Sequence, residues 1–199
     1  VENFPLYVLS GQVIFNFFND STTSSMSAII SSASLIKKVY VPKYLFVLSR
    51  VMSSFINLMA SFTALLLVMV ATRAELHWTV FLSVIPLAMV VLFSFGVGMF
   101  LAAITVRFRD VIHLYSVFTT GLLYLTPVIY PMAALPDVVK TIVMINPLTN
   151  YLLMFRDVMF NNTLPSVFSV LLGIAEAALA LALGLYVFYK NQDEFILNL

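Results

Sequence analysis

Few residues in this chain have the type and spacing for covalent chemistry. There are two histidines, His77 and His113, and no cysteine. Thiolate nucleophiles, thiolate metal sites and disulfides are therefore excluded. The histidines form no H-E-x-x-H pair, so no metal site and no catalytic residue is assigned. The six glycines (Gly11, Gly96, Gly98, Gly121, Gly173 and Gly184) do not precede a lysine in the frame G-x-x-x-x-G-K-[ST]. A phosphate-cradling P-loop is thus missing from the sequence, and the chain is not read as an enzyme or as an ATP binder. Two features remain that could recognise or couple. One is Glu176, alone in a long apolar run; the other is the basic segment Ser34-Leu-Ile-Lys-Lys-Val-Tyr-Val-Pro-Lys-Tyr44.

The elements that position these residues follow from composition. Of 199 residues, 62% are hydrophobic, and only 10 are Lys or Arg and 9 Asp or Glu. A soluble domain of this length would carry about 25% charged residues, roughly 50. So few charges cannot cover a water-soluble surface, and the chain reads as an integral membrane protein. The net charge of +1 gives no footprint for nucleic acid. The chain opens at Val1 with no basic leader, and is expected to be an N-terminally incomplete piece of a single transmembrane domain spanning 1–199.

Charges cut the sequence into apolar runs that can be compared with the ~20 residues a helix needs to cross a bilayer. There are 22 uncharged residues between Arg50 and Arg73, 31 between Glu75 and Arg107, and 26 between Asp110 and Asp137. Two further runs lie near the ends. This predicts an all-α, polytopic membrane helical bundle with about five transmembrane helices, near 6–23, 45–71, 80–105, 114–130 and 167–189. The run Thr141–Phe155 has only 15 residues and contains Asn146-Pro147. Proline removes an amide donor and restricts its neighbour, so a crossing helix there would strand backbone groups in lipid. Residues 131–165 are therefore expected to form short interfacial or re-entrant helices on one face.

Basic residues set the orientation. Five spans place Lys37, Lys38, Lys43, Arg50, Arg107, Arg109 and Lys190 on one side, which becomes the cytoplasm. Arg73, Lys140 and Arg156 fall on the other, each near an acid (Glu75, Asp137 and Asp157). His77 and His113 then lie on opposite sides and cannot share a site.

Within the spans, small and polar residues recur at helical spacing. Gly173, Ala177, Ala180 and Gly184 form one stripe, with Glu176 beside it. Glu176 is the acid expected near mid-membrane, either facing a cavity as a proton or substrate contact, or hydrogen-bonded so as to pin two helices. Ser49, Ser53, Asn57, Ala60 and Ala64 form a second stripe, and Gly98, Ala102 and Thr105 a third. Close helix packing is preferred for both, with a polar route as the alternative. Aromatics including Tyr7, Phe15, Phe17, Phe18, Tyr115, Phe118, Tyr124 and Tyr130 read as an interfacial belt and lipid-facing bulk. Some could instead line a conduit for sugars, stacking on sugar C–H groups. The segment 34–44 is amphipathic, basic and closed by Pro42, which fits a short helix on the membrane surface. It could grip lipid headgroups, dock a cytoplasmic partner, or do both.

Five short motifs occur in order along the chain. They are Leu35-Ile-Lys-Lys-Val-Tyr-Val-Pro42, Arg107-Phe-Arg-Asp-Val111, Thr126-Pro-Val-Ile-Tyr-Pro131, Asn146-Pro-Leu-Thr149 and Phe155-Arg-Asp157. In this order and spacing the sequence resembles the type-2 ABC exporter permeases that move polysaccharides and polyol phosphates such as O-antigen, capsule and teichoic acid. The resemblance implies a homodimeric permease in the bacterial cytoplasmic membrane, driven by separate cytoplasmic ABC ATPase subunits that carry the ATP and magnesium. No cofactor is implied for this chain itself.

By the same resemblance, Leu35, Ile36, Lys37, Lys38, Val39, Tyr40 and Pro42 belong to a coupling helix against the ATPase. Arg107, Arg109 and Asp110 lie at the second cytoplasmic approach. Pro127, Tyr130, Pro131, Asn146, Pro147, Arg156 and Asp157 fall in extracellular gate helices. Asn57, Tyr115, Phe118, Tyr124 and Glu176 are left as channel or packing residues. The implied cargo is a glycan or glycopolymer, lipid-linked, moving outward. Alternatives are a type-2 ABC permease for a drug or lipid, an ion-coupled secondary transporter using Glu176, and a structural membrane anchor.

Overall fold

The computed structural model describes residues 4–39, 41–74 and 77–195. Those residues form eight α-helices and three short 3-10 turns, with no strand among them. In chain order the helices are α1 (Phe4–Ser31), α2 (Ala33–Ile36), α3 (Tyr44–Ala71), α4 (Val84–Arg107), α5 (Val111–Leu125), α6 (Asp137–Ile145), α7 (Pro147–Met159) and α8 (Val167–Asn191). The protein is an all-α membrane helical bundle.

Three stretches are long and apolar enough to cross a bilayer: Tyr44–Ala71, Trp78–Arg107 and Val167–Asn191. The second begins with a 3-10 turn over Trp78–Ser83 and becomes α-helical at Val84. Pro86 falls in the first turn of that helix, where its missing amide costs no internal bond. The other two expected spans differ in kind. α1 has 28 residues and continues well past Thr23, but Gln12, Asn16, Asn19, Asp20 and a Ser/Thr run dilute its apolarity. α5 reaches only 15 residues. It stops because Pro127 forces Thr126 out of the helical region, to φ −108° and ψ 132°.

The expected break at Asn146-Pro147 is present. α6 and α7 meet there at 98°. Pro147 opens α7, and the Asn146 side chain accepts from the Leu148 amide at 3.1 Å, capping the new helix. The other end of that side chain donates to Thr126 Oγ1 at 2.9 Å, tying the corner to the end of α5.

α4 lies at the centre, packed along α8 on one side and α1 on another, with α3 running beside α1. Its contact with α8 requires glycine. A Cβ on Gly184 would collide with the backbone of Gly96, and one on Gly96 with the backbone at Ala180 and Leu181. Small residues let two helices approach until backbone meets backbone, which is how a bundle gains contact where lipid supplies no hydrophobic drive. Gly98 does the same against α1, where a Cβ would stand 2.7 Å from Ser25 Oγ. Of the two stripes expected to pack, the one at Gly98, Ala102 and Thr105 does so.

Candidate functional site: two ends and one side of the bundle

One buried cluster gathers Ala28 and Ile29 of α1, Val47 of α3, Met99, Ala102 and Val106 of α4, and Phe188 of α8. These residues lie near the C-termini of α1, α4 and α8 and the N-terminus of α3, so all four helix ends share one face of the bundle. Ile36 is buried in this cluster and anchors α2 on that face. Around the anchor, Leu35 and Val39 are 48% and 51% exposed, and Lys37, Lys38 and Pro42 are exposed as well. Tyr40 lies outside the described residues. Arg107, Phe108, Arg109 and Asp110 follow directly from Val106 and are all exposed, with the Arg107 guanidinium 5.6 Å from the Phe108 ring centre. The structure thus brings both basic segments to one end as apolar and cationic surface.

The chain's tail supports this end. Lys43 donates to the carbonyl of Gln192 and stands 5.8 Å from the ring centre of Phe195. Phe195 is buried in the same cluster as Ile36, edge-on to Phe188 at 5.2 Å. Arg50 donates to Ser31 Oγ at 3.1 Å, joining the start of α3 to the end of α1.

At the opposite end, two of the residues expected near an extracellular gate join Arg156, Pro127 directly and Tyr130 through Tyr7. The Arg156 side chain is only 4% exposed. Its Nε donates to Ser10 Oγ at 3.1 Å, and Nη1 to the Pro127 carbonyl at 2.7 Å. Nη2 donates to the carbonyls of Tyr7 and Val128 at 2.9 and 3.1 Å. The guanidinium also lies 3.5 Å from the centre of the Tyr7 ring. Arginine stays charged, and its planar fork suits several acceptors at once. A buried charge is tolerated only when paired or fully hydrogen-bonded, and here carbonyl oxygens and a π face do that work. Tyr7 donates to the Tyr130 carbonyl at 3.0 Å, and Tyr130 to that of Tyr124 at 2.7 Å. Pro131 opens the 3-10 turn Met132–Ala134 that leads from this node towards α6. Asp157 is turned elsewhere, accepting from Asn161 Nδ2 at 3.0 Å near the end of α7.

Along one side, α1 exposes Gln12, Asn16, Asp20, Thr23 and Ser27, at steps of four, four, three and four. The second stripe, on α3, is exposed too, Asn57 included. A groove between the two helices is lined by Leu9, Gln12, Val13 and Asn16 of α1 and by Ser61, Ala64, Leu65 and Val68 of α3. That groove and the Arg50–Ser31 bond fix an antiparallel register that sets Asp20 level with Asn57. A polar strip therefore runs from Gln12 to Ser27 along α1 beside Ser49 to Ser61 of α3, with Leu9, Leu65 and Val68 making one end apolar.

A model of the ABC-2 type transporter family matches residues 2–160. The chain belongs to the ABC-2 type transporter family. Among its relatives are two O-antigen export system permease proteins RfbA of Klebsiella pneumoniae, each 26% identical over 98% of this chain and 75% of the relative. A third, the O-antigen export system permease protein RfbA of Myxococcus xanthus, is 25% identical over 98% of this chain and 76% of its own length. As an ABC-2 family member with these helices, the chain is a multi-pass membrane protein.

The remaining residues sort by contact within this ABC-2 bundle. Glu176 is half-buried against α7, where Asn150 Nδ2 donates to its Oε2 at 3.4 Å and to the Ser169 carbonyl at 3.1 Å. This is the helix-pinning arrangement. Tyr115 is buried, and its hydroxyl donates to Thr22 Oγ1 at 2.8 Å. Phe15, Phe17 and Phe18 are buried core rather than belt. Phe118 and Tyr124, 57% and 69% exposed, are presented outward by α5.

Sequence reasoning missed Tyr7 and Ser10 as partners of Arg156, because they lie about 150 residues away in the chain. It also missed Asp20. Ending the first span at Thr23 puts this acid near the end of the element, whereas in a helix running to Ser31 it lies close to the middle. The signal was available in the polar four-residue repeat from Gln12 onward.

Proposed function

We propose that the chain is the permease subunit of an ATP-driven exporter that moves a glycan polymer outward across the bacterial cytoplasmic membrane. It would work as a homodimer with a separate cytoplasmic ABC ATPase subunit, and the polymer would travel on a lipid carrier. The observation that carries this reading is the exposed strip of amide, hydroxyl and carboxylate groups along α1 and α3. Lipid cannot solvate such a face, so it belongs against water, a polar cargo or another protein. A hydroxyl-rich polymer matches side chains that both donate and accept. The relatives named for O-antigen export point to the same cargo class.

In this mechanism the exposed Leu35, Lys37, Lys38 and Val39 press into the ATPase. Ile36 passes movement of that partner into the buried helix ends behind it. A coupling segment transmits free energy only if it contacts the open and closed motor differently. At the outer end, the α6–α7 corner and the Arg156 node frame the exit. A drug or lipid cargo fits less well, because Gln12, Asn16, Asp20, Asn57 and Ser61 put hydrogen-bonding groups on this face. Ion coupling through Glu176 fits less well too, because Asn150 already holds that carboxyl.

The test is to purify the full-length subunit from native membranes in mild detergent, and separately to delete its gene. A stoichiometric ATP-binding-cassette subunit in the purified material, with glycan retained inside the deleted cells, is the expected result. Reproducible purification without any such subunit, or unchanged surface glycan after deletion, would overturn the reading.

A further inference from the structure

Asp20 stands at position 17 of the 28 residues of α1, exposed on the polar strip and level with Asn57. Its carboxylate has no hydrogen-bond or ion-pair partner among the described residues. An unpaired carboxylate at that depth would be costly against lipid, so it faces water, cargo or a partner subunit, and the strip's role as the cargo route places it against the first two. The cations are placed elsewhere. α1 contains no Lys or Arg, and α3 holds only Arg50, near its cytoplasmic end and bonded to Ser31. α5 carries neither. Arg156 is buried with its donors committed to Ser10, Tyr7, Pro127 and Val128. The strip therefore offers neutral donors and acceptors and one negative charge, with no cation at mid-depth to balance it.

A polyanion recognised by protein calls for Arg or Lys against its phosphates. On this strip each phosphate would instead pass a carboxylate, and in a confined space the repulsion exceeds its value in bulk water. Hydroxyl groups and protonated amines can donate to the same oxygens. Resting on the exporter reading above, we propose that Asp20 makes the route selective for glycans that are uncharged or carry free amines, and turns away polyol-phosphate polymers.

The test uses the full-length permease reconstituted with its ATPase subunit in proteoliposomes. Two lipid-linked probes of similar length are followed: an uncharged hexose polymer and a poly(glycerol phosphate). Wild type is expected to move the uncharged probe faster by about fivefold or more, the factor that ~1 kcal/mol of repulsion produces. Asp20→Asn should narrow the ratio and Asp20→Lys should abolish or reverse it, while passage of the uncharged probe stays nearly constant. Asp20→Asn keeps the side-chain size and carries the test alone if the lysine variant fails to assemble. An unchanged ratio in Asp20→Asn, or a wild-type preference for poly(glycerol phosphate), would overturn the selection while leaving the exporter reading standing. Passage of neither probe, with ATP still hydrolysed, would overturn the exporter reading and the selection with it.

Discussion

The guanidinium of Arg156 lies 3.5 Å from the centre of the Tyr7 ring and donates to the Tyr7 carbonyl at 2.9 Å. One residue of α7 thus holds both the side chain and the backbone of the first turn of α1. Through Pro127 and Val128 it holds the segment after α5 as well.

Arg156→Met should therefore do more than remove a charge. It leaves the Pro127, Val128 and Tyr7 carbonyls short of a donor and detaches α1 from α7. We expect a loss of about 3 kcal/mol, from buried acceptors left without a donor. Arg156→Lys should recover little, because one ammonium cannot reproduce the fork. Thermal unfolding of the purified permease in detergent measures this; a lysine variant as stable as wild type would contradict it.

Gly184→Ala should separate α8 from α4. The added methyl would occupy the position of the Gly96 carbonyl, so one backbone must move, at a cost of about 1–3 kcal/mol. Gly121→Ala is the control, since a Cβ there meets nothing within 4 Å. Comparing the two melting temperatures gives the result directly, with only the first expected to fall.

Lys37→Glu combined with Lys38→Glu should leave membrane insertion and folding intact, because both side chains are exposed. Export and co-purification of the ATPase should drop sharply. Undiminished export by this double variant would remove the coupling role from the segment.

Glu176→Gln should be tolerated, with export close to wild type and stability changed by about 1 kcal/mol or less. A glutamine can still accept the Asn150 bond. Loss of transport with ATPase activity intact would instead mark Glu176 as a working group and favour ion coupling.

The helical class and the break at Asn146-Pro147 were legible because charge spacing and proline act locally. Ile36 was included in the coupling segment from the motif alone, but its role as anchor emerges only from the cluster of helix ends around it. Arg156 was singled out without its partners, since nothing local indicates which carbonyls a guanidinium will reach. The α3 stripe was read as packing because small residues serve close helix contact and polar surface equally well. Only the fold distinguishes the buried glycines facing α8 from the exposed serines and Asn57.

The bond from Lys43 to Gln192 joins residues 149 positions apart. During synthesis, the basic segment beside Lys43 is made long before α8 and the residues that follow it. That contact cannot exist until α8 has been translated and docked. A chain made only as far as α7 therefore presents its lysines without this support. Protease resistance of the Lys37–Lys43 region consequently serves as a clock for the docking of α8.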